Sequence, residues 1–310
     1  MPKKREWWST GTAGADGEFV PSTYVSDAEG RKGARVVSSG IVEFPDSARW
    51  RLLAPMRWYF RHFPVQKGKG IIKHLLVDPL LSHGVGEFTY TLPAGGMVNL
   101  CYREAIGSHV LLYGGFETPE IESVLGFVQR GTWAIDLGAN IGLFTVALAQ
   151  AVGSSGGVLA CEPVPVTVER LRANVKLNGL DGVVAVRDVA AWDSSGEIEM
   201  ICTEDSAYAS AQEGWTASAL SRCRVLTNTV DAMWADLGSP NVSVVKIDVE
   251  GAERHALLGG HDIISRCRPA ILIEIGHSNL QWVTSFLEER GYTRRQPDGF
   301  ERSNYLFLPN

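Results

Sequence analysis

The chain is 310 residues long, about twice the commonest size of one domain, so we expect one large domain with additional length. Hydrophobic residues make up 45% of it and charged residues 21%, which excludes a disordered chain, a collagen-like repeat and a coiled coil. The net charge of −6 gives no reason to expect a nucleic-acid partner. Five cysteines without a CxxC pair argue against a disulfide framework or a zinc ribbon.

The apolar runs and the N-terminus bear on where the protein is found. No stretch approaches the roughly 18 uninterrupted apolar residues that a membrane-spanning helix requires. Residues 1–22 are basic and then glycine-rich, without the apolar run of a secretory signal. We therefore predict a cytoplasmic protein without a transmembrane segment, and no pattern predicts an oligomeric state.

Residues 1–110 are predicted to form an N-terminal extension. Glycines punctuate the first thirty or so residues, which we expect to be poorly ordered. Residues 46–63 have helical character, interrupted by Pro55 and Pro64. Residues 87–92 and 97–102 then have the pattern of two strands joined by a glycine-containing turn.

A basic and aromatic stretch lies within this extension. Between residues 49 and 73 there are no acidic residues, and the basic ones are Arg49, Arg51, Arg57, Arg61, Lys67, Lys69 and Lys73. Such a stretch is consistent with a membrane-surface contact, with a lid over an acceptor, or with a helix that packs its aromatic residues on the domain while its arginines stay solvated. We favour the last, because Pro55 and Pro64 interrupt the long amphipathic helix that a membrane anchor needs.

From residue 111 onwards, short apolar strands alternate with amphipathic helices. The predicted strands are 133–137, 158–161, 183–186, 242–247 and 269–275, with short β segments at 292–294 and 304–308. The predicted helices are 143–152, 166–177 and 252–258, and a capping-box pattern at 278–281 begins a last helix that Gly291 ends. Residues 197–229 fit less well and are expected to add an edge hairpin and a loop. We predict an α/β fold with a doubly wound sheet over residues 111–310.

Ligands of such sheets bind beyond the carboxyl ends of the strands, so the residues that follow each strand are the informative ones. They comprise the segment from Asp136 through Gly138 and Asn140 to Gly142, then Glu162, Asp188 with Val189, Asp248 with Glu250, and Glu274 with His277. An acid at the position of Glu162 typically accepts hydrogen bonds from ribose hydroxyls.

The spacing of the first loop distinguishes between two nucleotide-type ligands. A dinucleotide site needs G-x-G-x-x-G, whereas here Gly138 and Gly142 are spaced G-x-x-x-G and Asp136 precedes them. A carboxylate repels a pyrophosphate but attracts an ammonium group, which favours S-adenosylmethionine. The alternative is a tight turn without a ligand, and the acids at Glu162 and Asp188 count against it.

Three segments together resemble the FkbM family of S-adenosylmethionine-dependent methyltransferases. They are Asp136-Leu-Gly-Ala-Asn-Ile-Gly142, Cys161-Glu-Pro163 and Val245-Lys-Ile-Asp-Val-Glu-Gly-Ala-Glu253, of which the last is the most specific. Gly115-Phe-Glu-Thr-Pro119 is also similar to a stretch that the family carries before its first strand. The resemblance covers residues 110–310 approximately. The family often has the order Glu-Ile-His after its fifth strand. Here the order is Glu274-Ile-Gly-His277, because Gly276 separates Ile275 from His277.

The resemblance implies a fold, a cofactor and a set of residue roles. It implies the seven-stranded Rossmann-like sheet of class I methyltransferases with one antiparallel strand, which the C-terminal β segments would supply. It also implies O-methylation of a sugar or secondary metabolite. Residue by residue, it assigns the methionine end of the cofactor to Asp136, Gly138, Asn140 and Gly142, the ribose to Glu162, the adenine to Asp188 and Val189, and a closing position to Glu117. From its position at the end of a buried strand, Asp248 is expected to contact the cofactor, to orient the acceptor or to help hold a cation.

Methyl transfer to a hydroxyl needs a general base within hydrogen-bond reach of the acceptor. The candidates are His277, Asp248 and Glu250, and histidine has the intrinsic pKa best suited to the task. His277 is equally compatible with a surface position in the loop after the last parallel strand. Asp248 and Glu274, with Glu250 and His277, would be the ligands of a divalent cation, which we do not expect.

Three charged residues near the last motif are assigned structural roles. We expect Lys246 to be a lysine whose ammonium group reaches solvent, and we expect Glu253 and His255 to be solvated on the following helix.

We therefore predict an S-adenosylmethionine-dependent O-methyltransferase that acts on a hydroxyl of a small sugar or secondary-metabolite acceptor, with no nucleic-acid partner. The alternatives are an N-methyltransferase acting on a peptide or amide nitrogen, and a catalytically silent scaffold that binds the cofactor.

Overall fold

The computed structural model describes residues 23–26, 32–35, 40–43, 48–62, 69–81, 87–202, 209–210 and 221–310. The prediction of a poorly ordered first thirty residues lies outside this part of the chain, apart from one strand at Thr23–Ser26. Among the described residues, no helix is both long and apolar enough to cross a membrane.

The N-terminal elements are strands β1 (Thr23–Ser26), β2 (Lys32–Arg35), β3 (Ile41–Glu43), β4 (Glu87–Thr91) and β5 (Met97–Cys101), and helices α1 (Ala48–His62), α2 (Lys69–Ile72), α3 (Asp78–Leu81), α4 (Ala105–Tyr113) and α5 (Thr118–Leu125), with a π-helical turn at Lys73–Val77. Strands β1 and β2 pair with each other, and β3, β4 and β5 form an antiparallel sheet. The predicted hairpin of β4 and β5 is confirmed. The predicted domain boundary at residue 110 falls inside α4.

Helix α1 confirms the helical character of residues 46–63, but it continues through Pro55, which does not interrupt it as predicted. Its aromatic residues pack on the domain, since Phe60 is buried, although Trp58 is 59% exposed. The expectation that the arginines stay solvated is wrong for Arg57, whose Nε donates to the carbonyl oxygen of Leu111 at 3.1 Å. Lys69 also donates to a backbone carbonyl oxygen, that of Phe60, at 2.8 Å, so part of the positive charge of this segment is used within the fold.

The remaining elements are strands β6 (Trp133–Leu137), β7 (Gly157–Cys161), β8 (Val184–Arg187), β9 (Ala190–Trp192), β10 (Gly196–Cys202), β11 (Ala209–Ser210), β12 (Ser221–Thr229), β13 (Val242–Ile247), β14 (Ala270–Glu274), β15 (Tyr292–Arg295) and β16 (Asn304–Pro309), and helices α6 (Leu143–Val152), α7 (Pro165–Leu177), α8 (Val230–Asp236), α9 (Glu253–Gly259), α10 (His261–Cys267) and α11 (Leu280–Glu288). The main sheet has the order β15-β16-β14-β13-β6-β7-β8, and only β16 runs antiparallel to its neighbours. This confirms the predicted seven strands with one antiparallel strand.

Both faces of this sheet are covered, which explains why its central strands are apolar throughout. Successive residues of β13 point to opposite faces, so that Val244 packs in one hydrophobic core with α6 and α7. Val245 packs in the other core, with α8 to α11. Because helices cover both faces, polar side chains of a ligand site are expected at the carboxyl ends of the strands.

Residues 197–229 differ from the prediction. Strands β10 and β12 do form a hairpin, but they join β9 and β11 in a separate four-stranded sheet rather than extending the main one. Cys223 on β12 is disulfide-bonded, whereas Cys101, Cys161 and Cys267 are free thiols.

The predicted capping box at residues 278–281 is wrong. Helix α11 begins at Leu280 after Asn279, and no side chain caps it. The Asn279 amide instead donates to the Glu253 carboxylate and to the carbonyl oxygen of Gly251. The start of α11 is therefore tied to the loop that follows β13.

Candidate functional site

Two adjoining cavities open at the carboxyl ends of the central strands. The first cavity is lined by Gly138, Asn140, Cys161, Glu162, Pro163, Val189, Ala190, Ala191, Trp192, Ile198, Met200, Asp248, Val249, Glu250 and Ala252. The second cavity is lined by Ala105, Ile106, Phe116, Glu117, Ala139, Asn140, Ile141, Leu143, Phe144, Lys246, Asp248, Glu250, Glu274, Glu301 and Ser303. Asn140, Asp248 and Glu250 line both, so the two cavities meet at these residues.

The loop after β6 is held close to the neighbouring strands. The N–H groups of Gly138 and Ala139 both donate to the carbonyl oxygen of Cys161, at 3.0 and 2.9 Å. Gly138 has a φ of +73°, and a Cβ there would lie 1.7 Å from the carbonyl oxygen of Asp248. Glycine is therefore required, since any side chain would push the loop away from Asp248. Gly142 precedes the first turn of α6 with a φ of +98°.

Glu162 lines the first cavity and is fixed by the backbone around it. Its Oε2 accepts a hydrogen bond from the N–H of Asn140 at 2.9 Å, and its Oε1 accepts one from Val164 at 3.0 Å. Burial raises the pKa of Glu162 to about 7, and these two backbone hydrogen bonds act against that increase. Because each carboxylate oxygen can accept a second hydrogen bond, Glu162 retains capacity for a pair of hydroxyl groups.

Asp136 is held by other residues of the protein. Its side chain is completely buried and lines neither cavity, and its role at the methionine end stays a prediction. Its Oδ2 accepts a hydrogen bond from Thr145 Oγ1 at 2.6 Å. Its Oδ1 receives no hydrogen bond from the described residues but lies 3.5 Å from Lys246 Nζ. The charge of Asp136 is thus balanced from within the protein.

Lys246 is buried, and the expectation that its ammonium group reaches solvent is wrong. Its Nζ donates to the carbonyl oxygen of Gly138 at 2.8 Å and lies 3.3 Å from Asp248 Oδ2. Burial disfavours the charged lysine, but the carboxylates of Asp248 and Asp136 outweigh this and raise the pKa of Lys246 above its ordinary value. Lys246 is therefore a charged group inside the site.

An apolar wall closes the first cavity opposite Glu162. It consists of Val189, Ala190, Ala191 and Trp192 on or next to β9, and of Ile198 and Met200 on β10. Val189 was predicted for this position, but the others were not, because β9 and β10 belong to the second sheet and carry no motif. Asp188 turns outward instead and pairs with Arg172 at 2.6 Å, with half of its side chain exposed. The structure does not bring the Asp188 carboxylate into the cavity.

Trp192 is supported from behind by His255. The two rings stack with their centroids 3.8 Å apart and their planes at 7°. His255 Nδ1 lies 2.7 Å from Asp193 Oδ2, and this partner lowers the pKa of Asp193. His255 is partly exposed, as predicted, but it is engaged with its neighbours. Glu253, predicted to be solvated, is buried and accepts a hydrogen bond from the N–H of Gly251 at 2.8 Å.

Partly buried carboxylates face the second cavity. Burial, with the neighbouring Asp248 and Glu274 carboxylates, raises the pKa of Glu250 to about 8. Burial and the Asp248 carboxylate likewise raise the pKa of Glu117 to about 8. The pKa of Glu274 is raised by the same two causes, although its Oε1 accepts a hydrogen bond from Ser303 at 3.0 Å. Such shifts are typical of functional sites.

Two of these glutamates adopt an unfavourable backbone conformation. Glu117 and Glu250 both have a φ of +47°, and Asn140 between the cavities has a φ of +48°. Side chains other than glycine seldom adopt this conformation, and where they do so the surrounding structure must enforce it. The structure thus places the Glu117 and Glu250 carboxylates around the second cavity at a cost in backbone energy. Sequence reasoning did not identify Glu301, Ser303, Phe116 or Phe144, which line the same cavity from other segments.

His277 does not join the other candidates. It is exposed in the loop between β14 and α11 and lines neither cavity. Asp248, Glu250 and Glu274 do face the second cavity together. Within the described part of the chain, no group of three or more His, Cys, Asp or Glu side chains is arranged to hold a metal ion.

The chemistry of the two cavities fits S-adenosylmethionine. The apolar wall with Trp192 can cover a purine ring, and the buried Glu162 can accept from two ribose hydroxyls. Among the residues that the structure describes, Lys246 is the only basic side chain lining either cavity, and carboxylates already compensate it. A pyrophosphate would therefore meet mainly negative groups, whereas a sulfonium and an ammonium group would be attracted.

The chain was also compared with known protein families. The sequence model described as the Methyltransferase FkbM domain matches residues 136–294, which is more than half of the chain. None of the curated proteins matches it.

Several solved structures are similar to the chain. Methyltransferase FkbM from Methylobacillus flagellatus KT is 17% identical over 66% of this chain and 52% of that one, with a TM-score of 0.42. A putative rRNA-methylase from Clostridium thermocellum is 12% identical over 61% of this chain and 91% of that one, with a TM-score of 0.39. M. jannaschii TYW2, solved in complex with AdoMet, is 15% identical over 72% of this chain and 84% of that one, with a TM-score of 0.40.

The chain spans about half the length of the similar FkbM methyltransferase, 52% of it. Its main sheet has the strand number and the single antiparallel strand of class I methyltransferases. The family match begins at Asp136 and includes the loop after β6 and the segment after β13, both of which line the two cavities. The protein belongs to the FkbM family of S-adenosylmethionine-dependent methyltransferases.

Proposed function

We propose that this protein transfers the methyl group of S-adenosylmethionine to a hydroxyl group of a sugar or secondary-metabolite acceptor. The adenosine part of the cofactor occupies the first cavity, and the acceptor enters the second. The observation that carries this proposal is the junction of the two cavities at Asp248 and Glu250, which line both. At this junction a methyl donor and an acceptor oxygen would face each other beside two carboxylates.

The first cavity supplies the contacts that orient the cofactor. Glu162 accepts from the ribose hydroxyls, and the wall that includes Trp192 and Met200 covers the adenine ring. When bound, S-adenosylmethionine supplies an electrophilic methyl group on a sulfonium, which an acceptor attacks in line with the departing sulfur. The protein's task is then to orient the acceptor and to exclude water.

Glu250 is the residue that we propose as the general base. It lines both cavities, and burial beside other carboxylates raises its pKa to about 8, close to a physiological pH. Asp248 is held 3.3 Å from Lys246 and is better placed to orient the acceptor hydroxyl than to take its proton. Glu250 removes that proton as the methyl group is transferred, and it later releases the proton to solvent.

The walls of the second cavity support an acceptor with both polar and apolar faces. Ile106, Phe116 and Phe144 provide an apolar surface. Glu117 provides a carboxyl group that can accept or donate hydrogen bonds, because its pKa of about 8 allows both protonation states near neutral pH. Glu274 provides a second carboxyl group on the same cavity. A sugar ring, with an apolar face and several hydroxyl groups, has this combination.

We further propose a cytoplasmic location for the reaction.

The test is transfer of labelled methyl groups by the full chain. The protein is incubated with S-adenosylmethionine carrying a ¹³C methyl group and with a panel of sugars, hydroxylated metabolites and short peptides. We expect S-adenosylhomocysteine to form, with the label on oxygen as seen by NMR. A label on nitrogen would establish N-methylation instead. Tight binding of the cofactor without turnover on any acceptor would overturn the proposal in favour of a silent scaffold.

A further inference from the structure

One of the residues that line the second cavity is a buried lysine, Lys246, to which no part of the proposed reaction assigns a role. We infer that Lys246 is a positioning residue that holds the loop after β6 and the Asp248 carboxylate in the arrangement that binds the cofactor. This inference rests on the proposed function, because it concerns the same cofactor site. It adds a residue that lines the second cavity and acts on the first cavity through Gly138 and Asp248.

The position of Lys246 follows from the register of the sheet. Lys246 on β13 lies directly beside Asp136 on β6, and the two strands are parallel neighbours at the centre of the sheet. The Nζ of Lys246 lies 5.2 Å from the centre of the Phe144 ring, on α6. The side chain is thus confined by a strand on one side and a helix above it, which leaves its ammonium group a narrow range of positions.

From this place Lys246 connects groups that belong to different segments. Its hydrogen bond to the carbonyl oxygen of Gly138 holds the loop after β6, and its ion pair with Asp248 holds the segment after β13. Gly138 and Asp248 both line the first cavity. The absence of a Cβ at Gly138 allows these two segments to touch, and Lys246 fixes them at that separation. Cofactor contacts from both segments therefore depend on one ammonium group.

Asp136 explains why a buried lysine is tolerated here. Removing a charge from water is costly unless an opposite charge is close, and Asp136 provides one that is itself completely buried. The role of Asp136 is then to keep Lys246 charged and in place rather than to contact the cofactor. Removing the charge of Lys246 or of Asp136 alone should lower the stability of the protein, whereas removing both charges should be tolerated. A double variant can therefore separate an effect on stability from an effect on cofactor binding.

The experiment compares Lys246→Met with the double variant Lys246→Met/Asp136→Asn in the full chain. Lys246→Met leaves Asp136 buried without its opposite charge, although the hydrogen bond from Thr145 remains, so we expect a lower Tm. The double variant removes both charges, and its Tm should return close to that of the wild type. Its affinity for S-adenosylmethionine, measured by calorimetry, should nevertheless stay about 10-fold or more below the wild type, because the Gly138 carbonyl and Asp248 have lost their common partner.

Two further variants complete the design. Lys69 is a matched control, because it is also buried and donates to a backbone carbonyl, that of Phe60, at 2.8 Å, away from both cavities. Lys69→Met should leave the affinity for S-adenosylmethionine unchanged, whatever it does to Tm. Lys246→Arg keeps a charged donor and should bind more tightly than Lys246→Met.

The outcomes separate the two proposals. A double variant that recovers both Tm and affinity to within about twofold of the wild type would show that Lys246 is only structural. The inference is also overturned if Lys246→Arg binds no better than Lys246→Met. A wild-type protein that does not bind S-adenosylmethionine would instead remove the proposed function itself. Because these measurements need no acceptor, failure to find the acceptor does not affect them.

Discussion

The first and second cavities share three residues but hold their polar groups in different ways. In the first cavity, Glu162 is fixed by two backbone hydrogen bonds, and the wall opposite is apolar. In the second, Glu117 and Glu250 are carboxylates with pKa values raised to about 8. The first cavity is thus preorganised for one ligand, since backbone hydrogen bonds fix Glu162 although its pKa is also raised, to about 7. The second cavity adds the carboxyl groups of Glu117 and Glu274 to the shared Glu250. This contrast is expected where a constant cofactor meets a proton-transfer step.

The largest effect is expected for the second cavity. Glu250→Gln removes the proposed base but keeps its size, so kcat should fall about 10²- to 10⁴-fold. The affinity for S-adenosylmethionine should change by less than about threefold. Steady-state kinetics and calorimetry on the same preparation check both values. His277→Ala is the comparison, with an expected change in kcat within about twofold, because His277 lies outside both cavities. A larger loss in His277→Ala than in Glu250→Gln would make the histidine the base.

The next largest effect is expected on the affinity for S-adenosylmethionine, from a substitution in the loop after β6 that lines the first cavity. Gly138→Ala places a Cβ 1.7 Å from the carbonyl oxygen of Asp248, at a φ of +73°, so the loop must move. We expect the affinity for S-adenosylmethionine to fall about 100-fold or more, as measured by calorimetry. Gly179→Ala is the matched control, because its φ of +64° imposes similar strain with no atom within 4 Å of the new Cβ. Equal affinities in both variants would mean that the contact with Asp248 is unimportant.

The pH dependence of the rate and of Tm tests the raised pKa values of the carboxyl groups in both cavities. Glu250 must lose its proton to act as a base, so kcat/KM for S-adenosylmethionine should rise with pH and level off above about 8. The same raised pKa has the opposite effect on stability, since the folded protein retains a proton that the unfolded chain has lost. Tm of the free protein should therefore fall between pH 5 and 8 as Glu162, Glu250 and Glu117 ionise.

In Glu250→Gln and in Glu117→Gln, the decrease of Tm between pH 5 and 8 should be smaller than in the wild type. A rate that decreases with pH over this range would contradict the assignment of Glu250 as the base. The assignment would also be contradicted if the residual kcat/KM of Glu250→Gln rose with pH as in the wild type. The titrating group would then be a different one.

A smaller effect is expected from the support behind the first cavity. His255→Ala removes the ring that stacks on Trp192, so the wall of the cavity loses its backing. The affinity for S-adenosylmethionine should fall about 3- to 10-fold, which corresponds to the strength of an aromatic pair. His261 offers a control, because it lies beside Asp262 on the surface without such a ring, and His261→Ala should have no effect. An unchanged affinity in His255→Ala would show that Trp192 holds its position alone.

The sequence predicted the sheet and the loop after β6 because both depend on local patterns. Continuous apolar runs mark buried strands such as β13, and closely spaced glycines mark a tight turn such as that at Gly138. The contacts of Lys246 could not be predicted, because they depend on the register between β6 and β13, strands more than 100 residues apart. Trp192 was missed for a similar reason, since its role follows from the placement of the second sheet.

The direction of a side chain is a further property that a motif does not contain. Asp188 follows β8 where an adenine contact is expected, yet its carboxylate pairs with Arg172 of α7. His277 follows β14, but it is exposed and lines neither cavity. In both cases the residue lies at the predicted end of a strand, and contacts with another element, or the course of a loop, decide where it points.

The smallest effect on the affinity for S-adenosylmethionine is expected for Asp188, which follows β8 but does not line the first cavity. The pair of Asp188 and Arg172 is half exposed, and such pairs contribute about 0 to 1 kcal/mol to stability. Asp188→Asn should therefore leave the affinity for S-adenosylmethionine within about twofold of the wild type. Glu199→Gln, which breaks the exposed pair with Arg222 on the second sheet, is a matched control. If Asp188→Asn alone lowered the affinity about 10-fold, Asp188 would leave Arg172 to bind the adenine, and the first cavity would have to change shape around its ligand.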